Sequence, residues 1–309
     1  MQTLQLFSGS AVTDLAQKIA QVYGKELSSS TLQYFSDGEF QPTINESVRG
    51  NIVAIIQSTF SPADNLLELL LTIDAAKRAA AKQIIAVMPY IGLSRQDRKG
   101  NDRTAIGAKL IANLLVASGA NQIITIDLHA DQMQGFFDVP VENLYASNIF
   151  IPYIEGLQLE NMVIAAPDVG GSKRSNSYAK YFDVPLVIGY KQRKMANVIE
   201  RMEVIGDVEG KHVLIIDDMV DTAGTITKAA EIMKEKGATS IRVFCTHAIL
   251  SGNAYEKIEN SALTELIVTD SIPLKKIAPK IKVLSVAPLI ANALHKIHTC
   301  ESINTNFLV

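Results

Sequence analysis

The amino-acid sequence predicts an α/β protein of two tandem, similarly folded domains, each a mainly parallel sheet flanked by helices. Short apolar runs rich in β-branched residues alternate with helix-length segments along the chain. The run Val53 to Ile56 matches the run Val213 to Ile216, and a loop, a helix and another strand follow each run at similar spacing. The same order of elements in each half indicates a duplicated fold.

Length and composition agree with this division. With 309 residues, the chain is long enough for two domains of ordinary size. We place the first domain at residues 1–146 and the second at residues 147–309, and we expect the C-terminal tail to pack on the first domain. Hydrophobic residues make up 48% of the sequence and charged residues 20%, which is typical of a globular protein.

The same composition argues against several classes of partner. A formal net charge of −3 gives no electrostatic reason to expect binding to nucleic acid or to an anionic membrane. No window approaches the roughly 18 apolar residues of a membrane span, and the N-terminus lacks a signal-peptide pattern. Cys245 and Cys300 are the only cysteines and lack metal-ligand spacing, which indicates a reducing compartment. We therefore predict a cytoplasmic protein in which Cys245, within an apolar run, is a core residue.

In the first half, a short strand leads into a polar turn. The strand Leu32 to Phe35 is followed by Ser36 to Glu39, which predicts a hairpin. Asp37 and Glu39 alternate around Gly38, so both acids can project from one side of the turn. Taken alone, this pattern is also that of ordinary solvated charges.

Two later loops follow predicted strands. The polar loop Pro89 to Arg103, which follows Ile84 to Met88, carries several basic residues including Arg95. Such a run is ordinarily a solvated surface, but loops at the carboxyl ends of parallel strands also surround ligand crevices. His129 follows the strand Ile123 to Leu128, where a lone histidine is more often structural than a ligand.

The second half contains two comparable segments. Asp168 lies after the strand Met162 to Ala166 and before a helix that begins near Ser172, where it can cap that helix or face a ligand. The strand Leu186 to Tyr190 leads into Lys191 to Lys194, which contains three positive charges and has no clear period. This pattern is typical of a mobile basic flap or of a solvated hairpin tip.

The stretch Val213 to Thr225 carries the strongest functional signal. Four apolar residues, three of them β-branched, predict a buried strand that runs into a loop at Asp217. Thr225 is the predicted N-cap of the next helix. The apolar face of that helix is formed by Ile226, Ala229, Ala230, Ile232 and Met233. Open α/β sheets bind their ligands where a strand, a loop and a helix follow one another in this way.

The loop itself is suited to an anion. Residues 221–225 offer hydroxyls, accessible backbone N–H groups and the positive end of a helix dipole, roughly half a charge. The carboxylates of Asp217, Asp218 and Asp221 would repel a polyphosphate but suit sugar hydroxyls or Mg²⁺. No P-loop motif occurs in the chain. We predict a phosphorylated sugar as ligand, and the alternative is an ordinary acidic loop with a good cap. The corresponding loop of the first half, Ser58 to Pro62, has no acids and is predicted to lack this chemistry.

Several motifs in this order resemble the ribose-phosphate diphosphokinase (PRPP synthetase) family of the type I phosphoribosyltransferase superfamily. The motifs are 35–39 (FSDGE), 45–50 (NESVRG), 94–98 (SRQDR), 127–130 (DLHA), 134–138 (QGFFD), 167–171 (PDVGG), 217–225 (DDMVDTAGT) and 251–254 (SGNA). They cover nearly the whole chain. The resemblance implies two phosphoribosyltransferase-like domains.

The resemblance also implies a role for each site residue. It assigns ATP binding to Phe35, Asp37, Gly38, Glu39, Arg95, Gln96 and Asp97. It assigns Mg²⁺ to His129 and Asp168, and catalysis in a flexible loop to Lys191 and Arg193. It assigns ribose 5-phosphate to Arg193, Asp217, Asp218, Asp221, Thr222, Ala223, Gly224 and Thr225.

The implied activity is transfer of the β,γ-diphosphoryl group of Mg-ATP to C1 of ribose 5-phosphate, which gives PRPP and AMP for nucleotide biosynthesis. The implied assembly is a homohexamer built from dimers. The sequence departs from the family pattern at Gln192, where an arginine is often found, at Ala223, which is usually glycine, and in a slightly shorter loop between Arg98 and Lys109. Two rival functions are a phosphoribosyltransferase that consumes PRPP and a catalytically silent regulatory subunit.

Overall fold

The computed structural model describes residues 3–195 and 198–303, with side chains outside the range 191–202. The chain forms two compact units. The first runs to Tyr145 and includes Ser271–Pro273 and the segment that begins at Ser285; the second runs from Ala146 to Asp270 and includes Leu274–Leu284. The predicted second domain, residues 147–309, is therefore interrupted by segments of the first unit.

Strands and helices alternate along most of the described chain. The strands are β1 (Leu4–Ser8), β2 (Ser30–Tyr34), β3 (Phe40–Ile44), β4 (Ile52–Ile56), β5 (Gln83–Met88), β6 (Gln122–Ile126), β7 (Val141–Leu144), β8 (Met162–Ala166), β9 (Leu186–Met195), β10 (Val198–Ile205), β11 (His212–Val220), β12 (Ser240–Ala248), β13 (Glu265–Thr269) and β14 (Ile281–Leu284). The α-helices are α1 (Thr13–Tyr23), α2 (Asp64–Arg78), α3 (Gly107–Ser118), α4 (Ser147–Gly156), α5 (Ser172–Phe182), α6 (Gly224–Glu235), α7 (Ala254–Glu259) and α8 (Ala287–Thr299). Short 3-10 helices span Ser10–Val12 and Asp131–Phe136.

The first unit is built on a parallel sheet of five strands in the order β1-β4-β5-β6-β7. Every residue of β4 and β6 is buried, because helices cover both faces of a parallel sheet. The hairpin of β2 and β3 is a separate antiparallel pair that packs against α2. The predicted hairpin around the turn 36–39 is therefore confirmed.

The second unit contains a seven-stranded sheet in the order β10-β9-β8-β11-β12-β13-β14. All its pairs are parallel except β9 with β10 at one edge. Its core includes β11, the predicted apolar face of α6 and Cys245, whose predicted place in the core is confirmed. The predicted α/β fold, with a mainly parallel sheet in each half, is thus confirmed.

Two predicted boundaries around the central stretch are wrong. Strand β11 does not end before Asp217 but continues to Val220, because β12 pairs with it as far as Val220 opposite Ala248. Asp217 and Asp218 therefore lie on the strand and not in the following loop. Helix α6 begins at Gly224 with Ala223 at the N-cap position, so Thr225 is not the N-cap.

The last helix of the described chain belongs to the first unit. Helix α8 packs against α1, where the Tyr23 hydroxyl lies 2.7 Å from Nδ1 of His298. Ile19 and Ala20 of α1 and Leu294 of α8 are buried. The N-terminal and C-terminal parts of the chain therefore share one core.

Within residues 3–195 and 198–303, no helix is both long enough and apolar enough to cross a bilayer.

An aromatic contact between β12 and α4 provides a test of the core of the second unit. Phe244 is fully buried, and its ring meets Phe150 edge-on with 5.5 Å between the centroids. We expect Phe244→Ala to lower the free energy of unfolding of this unit by about 3–5 kcal/mol, because it leaves a cavity. Urea denaturation monitored by circular dichroism measures the change.

The matched control is Ile277→Ala, since Ile277 is 98% exposed in the same unit. This variant should change the unfolding free energy by less than about 0.5 kcal/mol. Equal effects of the two substitutions would contradict the assignment of Phe244 to the core.

Candidate active site

The turn after β11 is held by the loop after β12. The Asp221 carboxylate accepts a hydrogen bond from the Ser251 hydroxyl through Oδ1, and the Asp221 carbonyl accepts one from the Ser251 N–H at 3.0 Å. Ala223 closes the turn with φ 59° and ψ −2°, in the left-handed region. The next residue, Gly224, starts α6. Asp221 therefore shapes the turn, and the backbone N–H groups at the start of α6 have the chemistry that suits an anion.

The remaining residues of the turn are accessible to a ligand. Thr222 is exposed, and Gly224 and Thr225 are partly exposed. The structure thus brings together the five residues of the predicted phosphate turn, as consecutive residues of one turn and the first residues of a helix. The sequence analysis did not identify Ser251 as their anchor, although the motif that begins at Ser251 indicated that this segment had a role.

Asp217 and Asp218 form an acidic pair at the end of β11. The Asp218 N–H donates to Oδ1 of Asp217 at 2.9 Å, and Oδ1 of Asp218 lies 3.3 Å from Nη1 of Arg174 on α5. Burial, followed by the charge of Asp218, raises the pKa of the Asp217 carboxyl well above its ordinary value. Arg174 was not predicted, since a single arginine on a helix carries no motif of its own.

Asp168 lies at the same edge of the sheet, because β8 is the direct neighbour of β11. Its Oδ1 accepts the Gly171 N–H at 3.1 Å, so it orders the loop that leads into α5. The Ser175 hydroxyl of α5 lies within hydrogen-bond distance of the carbonyls of Ala165 and Ile216, at 3.2 and 3.3 Å. These contacts bind the start of α5 to both strands, β8 and β11.

In the first unit, the turn of the β2–β3 hairpin carries four of the residues predicted to bind ATP, Phe35, Asp37, Gly38 and Glu39. The Phe35 N–H donates to the Glu39 carbonyl at 2.8 Å, and Oδ1 of Asp37 accepts the Glu39 N–H at 3.0 Å. Gly38 has φ 94°, a conformation that glycine adopts without strain. Phe35 is 42% exposed, so the tip of the hairpin offers an aromatic face and acidic side chains to a partner.

Residues 95–97 lie in the loop after β5. Oδ2 of Asp97 accepts a hydrogen bond from Nε2 of Gln132 at 3.2 Å, in the 3-10 helix that follows His129. Gln96 packs on Gly107, where an added Cβ would lie 2.5 Å from Oε1 of Gln96. Because β5 and β6 are neighbours, the predicted ATP loop and His129 meet at one edge of the first sheet. Arg95 and His129 are both exposed there.

The predicted metal ligands come from both units, His129 from the first and Asp168 from the second. Among the residues that the structure describes, no group of three or more His, Cys, Asp or Glu side chains is arranged to hold a metal ion. A carboxylate and an imidazole can nevertheless contribute to a Mg²⁺ site whose other ligands are phosphate oxygens and water. Asp168 fits that donor set. Its carboxylate accepts a hydrogen bond from Gly171 and has further lone pairs that can bind a metal ion.

The predicted catalytic side chains, Lys191 and Arg193, lie outside the described side chains. Their backbone is part of β9, which continues to Met195 and pairs with β10. The extended backbone and its antiparallel pairing with β10 agree with the alternative of a hairpin, whose tip at residues 196–197 lies outside the described residues. The mobility of the predicted basic flap stays a prediction.

The corresponding edge of the first unit is filled by its own side chains. Gln57 and Ser58 follow β4, where Asp217 and Asp218 occur in the second half. Gln57 is fully buried, with Oε1 accepting the Ala11 N–H at 3.1 Å and Nε2 donating to Glu68 at 2.9 Å. Glu68 also accepts the Ser10 N–H at 2.9 Å. This network uses the polar groups at that position for internal packing.

Both halves of the chain are similar to proteins of one family. Residues 4–119 match the N-terminal domain of ribose phosphate pyrophosphokinase, and residues 193–308 match the phosphoribosyl synthetase-associated domain. The ribose-phosphate pyrophosphokinase of Porphyromonas gingivalis is 54% identical over 301 residues, which cover 97% of this chain and 96% of the relative. That of Wolinella succinogenes is 52% identical over 309 residues, with 100% of both chains covered.

A solved structure agrees with these relatives. The phosphoribosylpyrophosphate synthetase of Mycobacterium smegmatis matches with a TM-score of 0.92 and 36% identity, covering 97% of this chain and 100% of that chain. The similarity therefore extends over both units and is not limited to one sheet.

The raised pKa of Asp217 predicts a pH-dependent stability. Between about pH 4, where an unfolded Asp ionises, and the raised pKa, the folded protein holds a proton that the unfolded chain has lost. The contribution of Asp217 to stability therefore decreases as the pH rises through this window. We expect Asp217→Asn, which stays neutral, to gain stability relative to the wild type as the pH rises from about 4 to 8. Urea titrations of the ligand-free protein at several pH values measure this.

Asp207 supplies a control of opposite sign. Its exposed carboxylate lies 2.7 Å from Nζ of Lys211, and hydrogen bonding to Lys211 lowers its pKa. Asp207→Asn should therefore lose stability relative to the wild type as the pH rises. The assignment fails if both variants respond to pH in the same direction.

Proposed function

The chain belongs to the ribose-phosphate pyrophosphokinase family of enzymes, and we propose that it transfers the β,γ-diphosphoryl group of Mg-ATP to the C1 hydroxyl of ribose 5-phosphate, giving PRPP and AMP. The observation that carries the proposal is the similarity to ribose-phosphate pyrophosphokinases over the full chain, with about half of the residues identical. The acidic pair of β11 and the predicted phosphate turn before α6 support it. Diphosphoryl transfer needs two substrates, and the two units carry separate sets of candidate residues for them.

Ribose 5-phosphate is assigned to the second unit. The N–H groups at the start of α6 and the hydroxyls of Thr222 and Thr225 suit its terminal phosphate. Asp217 and Asp218 suit the ribose hydroxyls, since carboxylates accept hydrogen bonds and repel phosphate. The carboxylate of Asp221 acts on the turn through Ser251, so its contribution to binding is the shape of the turn.

ATP is assigned to the first unit. Phe35 offers an exposed ring on which adenine can stack, with Asp37, Gly38 and Glu39 beside it. Arg95 suits the phosphates, because its guanidinium presents several donors in a fixed geometry. Two contacts hold the same loop in place: Gln96 packs on Gly107, and Asp97 accepts a hydrogen bond from Gln132.

We assign Mg²⁺ to His129 and Asp168. Bound there with the ATP phosphates, Mg²⁺ would neutralise part of their negative charge and polarise the phosphorus that is attacked. The carboxylate of Asp168 is already oriented by Gly171, which reduces the entropy lost on binding.

Lys191 and Arg193 are assigned to the transferring group, with Arg193 also binding ribose 5-phosphate. In-line displacement by the C1 hydroxyl at the β-phosphorus spreads negative charge over the phosphoryl oxygens and the AMP leaving oxygen. Two cations placed near these oxygens stabilise the transition state more than the bound substrates. The protein itself performs no covalent step, so positioning and charge compensation account for the catalysis.

The rival functions explain fewer observations. A phosphoribosyltransferase that consumes PRPP would need neither the hairpin at Phe35 nor the loop at Arg95. A silent regulatory subunit would not need to retain Lys191, Arg193 and the acidic pair. From the family resemblance we also propose a cytoplasmic homohexamer built from dimers.

Incubation of the purified protein with Mg-ATP and ribose 5-phosphate, followed by ³¹P NMR, tests the reaction. We expect signals of PRPP and AMP in equal amounts without any added base. ADP as the sole nucleotide product, or no reaction unless PRPP and a base are supplied, would reject the proposal.

Lys191→Ala tests the catalytic role of the strand β9. Removing one electrostatic partner of a transition state typically lowers kcat by roughly 10²–10³. We expect such a loss with little change in KM for either substrate. Near-normal turnover with weakened ATP binding would place Lys191 in the ATP site instead.

Complementation tests whether the hairpin serves a neighbouring subunit, as the resemblance implies. Inactive Asp37→Ala and Asp221→Ala proteins, dissociated and reassembled together, should regain activity. In the mixed oligomers, some sites combine an intact hairpin from one subunit with an intact phosphate turn from its neighbour. Native mass spectrometry verifies the mixed oligomers. Mixed oligomers without any activity would show that each chain supplies both sets to its own site.

A further inference from the structure

Lys257 contacts the phosphate turn from another element. Its Nζ donates to the Thr222 carbonyl at 3.2 Å and lies 3.9 Å from the place where a Cβ on Gly224 would be. Lys257 is on α7 and is partly buried. The helix is fixed by its apolar side, where Ala254 and Ile258 are buried in the second core. The fold therefore places the backbone of Lys257 within reach of the turn, and the bond to Thr222 positions its ammonium.

The contact orients one peptide group of the turn. In a trans peptide, the carbonyl of Thr222 and the N–H of Ala223 point in opposite directions. When Lys257 binds the carbonyl on one side, the N–H of Ala223 is turned to the other side. That N–H directly precedes the backbone N–H groups of the first turn of α6, so it can join them around one anion.

The bond also acts where the backbone is strained. Ala223 has φ 59°, and the left-handed region is unfavourable for a residue with a Cβ. A glycine would adopt the same conformation without this cost. A bond from Lys257 to the preceding carbonyl helps to hold the strained turn in one conformation before the ligand binds.

We propose that Lys257 is a positioning residue for the sugar phosphate: its ammonium fixes the Thr222–Ala223 peptide so that the turn binds the terminal phosphate of ribose 5-phosphate with alanine at position 223. The proposal rests on the proposed function for the identity of the ligand. It adds a residue outside the turn and explains how the turn tolerates alanine.

Calorimetric titration with ribose 5-phosphate and, separately, with Mg-ATP tests the proposal. Lys257→Met should lower the affinity for ribose 5-phosphate by about tenfold, which is the size expected for the loss of one hydrogen bond made by a charged group. Affinity for Mg-ATP should stay within about twofold of the wild type, because an intact ATP site loses no such bond. Lys257→Arg should recover most of the affinity for ribose 5-phosphate.

The matched control is Lys280→Met. Lys280 also donates to a backbone carbonyl, that of Ser261, at 2.8 Å, but it does not contact the turn. This variant should bind ribose 5-phosphate as the wild type does. Equal losses in the two lysine variants would reject a specific role for Lys257.

A second substitution separates positioning from direct contact with the phosphate. In the Ala223→Gly background, the turn is no longer strained, so Lys257→Met should cost less than about twofold in affinity. A full tenfold loss in that background would overturn the positioning role, and unchanged affinity in Lys257→Met alone would overturn the proposal altogether. Absence of ribose 5-phosphate binding by the wild type would instead reject the proposed function.

Discussion

The hydrogen bonding of β11 to a parallel neighbour on each side determines where the sugar-phosphate residues lie. Pairing with β12 continues to Val220, which keeps Asp217 and Asp218 in extended backbone and brings the following turn next to Ser251. Pairing with β8 places Asp168 at the same edge. Because the carboxyl ends of parallel strands meet at one edge, residues from three separate segments become neighbours without any long loop.

The two units show how one arrangement of strands supports different uses. At the end of β11, carboxylates lie beside a turn with accessible N–H groups. At the end of β4, Gln57 and Glu68 hydrogen-bond to one another and to the backbone of Ala11 and Ser10, so these two side chains serve internal packing. The difference arises from a few side chains, since β4 and β11 each lie between two parallel neighbours.

Much of this organisation could be predicted from the sequence. Apolar runs such as Ile52–Ile56 identify buried strands because every residue of such a run must be covered. The resemblance to the family, which the comparisons confirm, supplied roles for the hairpin acids that physical reasoning left as solvated charges. The end of β11 and the start of α6 could not be predicted, because they depend on pairing with β12 and on Ser251, some 30 residues away in the chain. Arg174 and Lys257 likewise act through contacts that local sequence patterns do not reveal.

The docking of α8 on α1 has a consequence for biosynthesis. The first unit contains both the earliest strand and the last described helix, whereas the second unit needs nothing after Leu284 among the described residues. A ribosome releases the chain from its N-terminus, so the first sheet emerges before the second unit but lacks α8, which packs against α1, until residues 287–299 have been synthesised. The first sheet therefore emerges before the second unit, whereas the packing of α1 is completed only after it. During that interval a nascent chain exposes the side of α1 on which α8 packs to chaperones or to other chains.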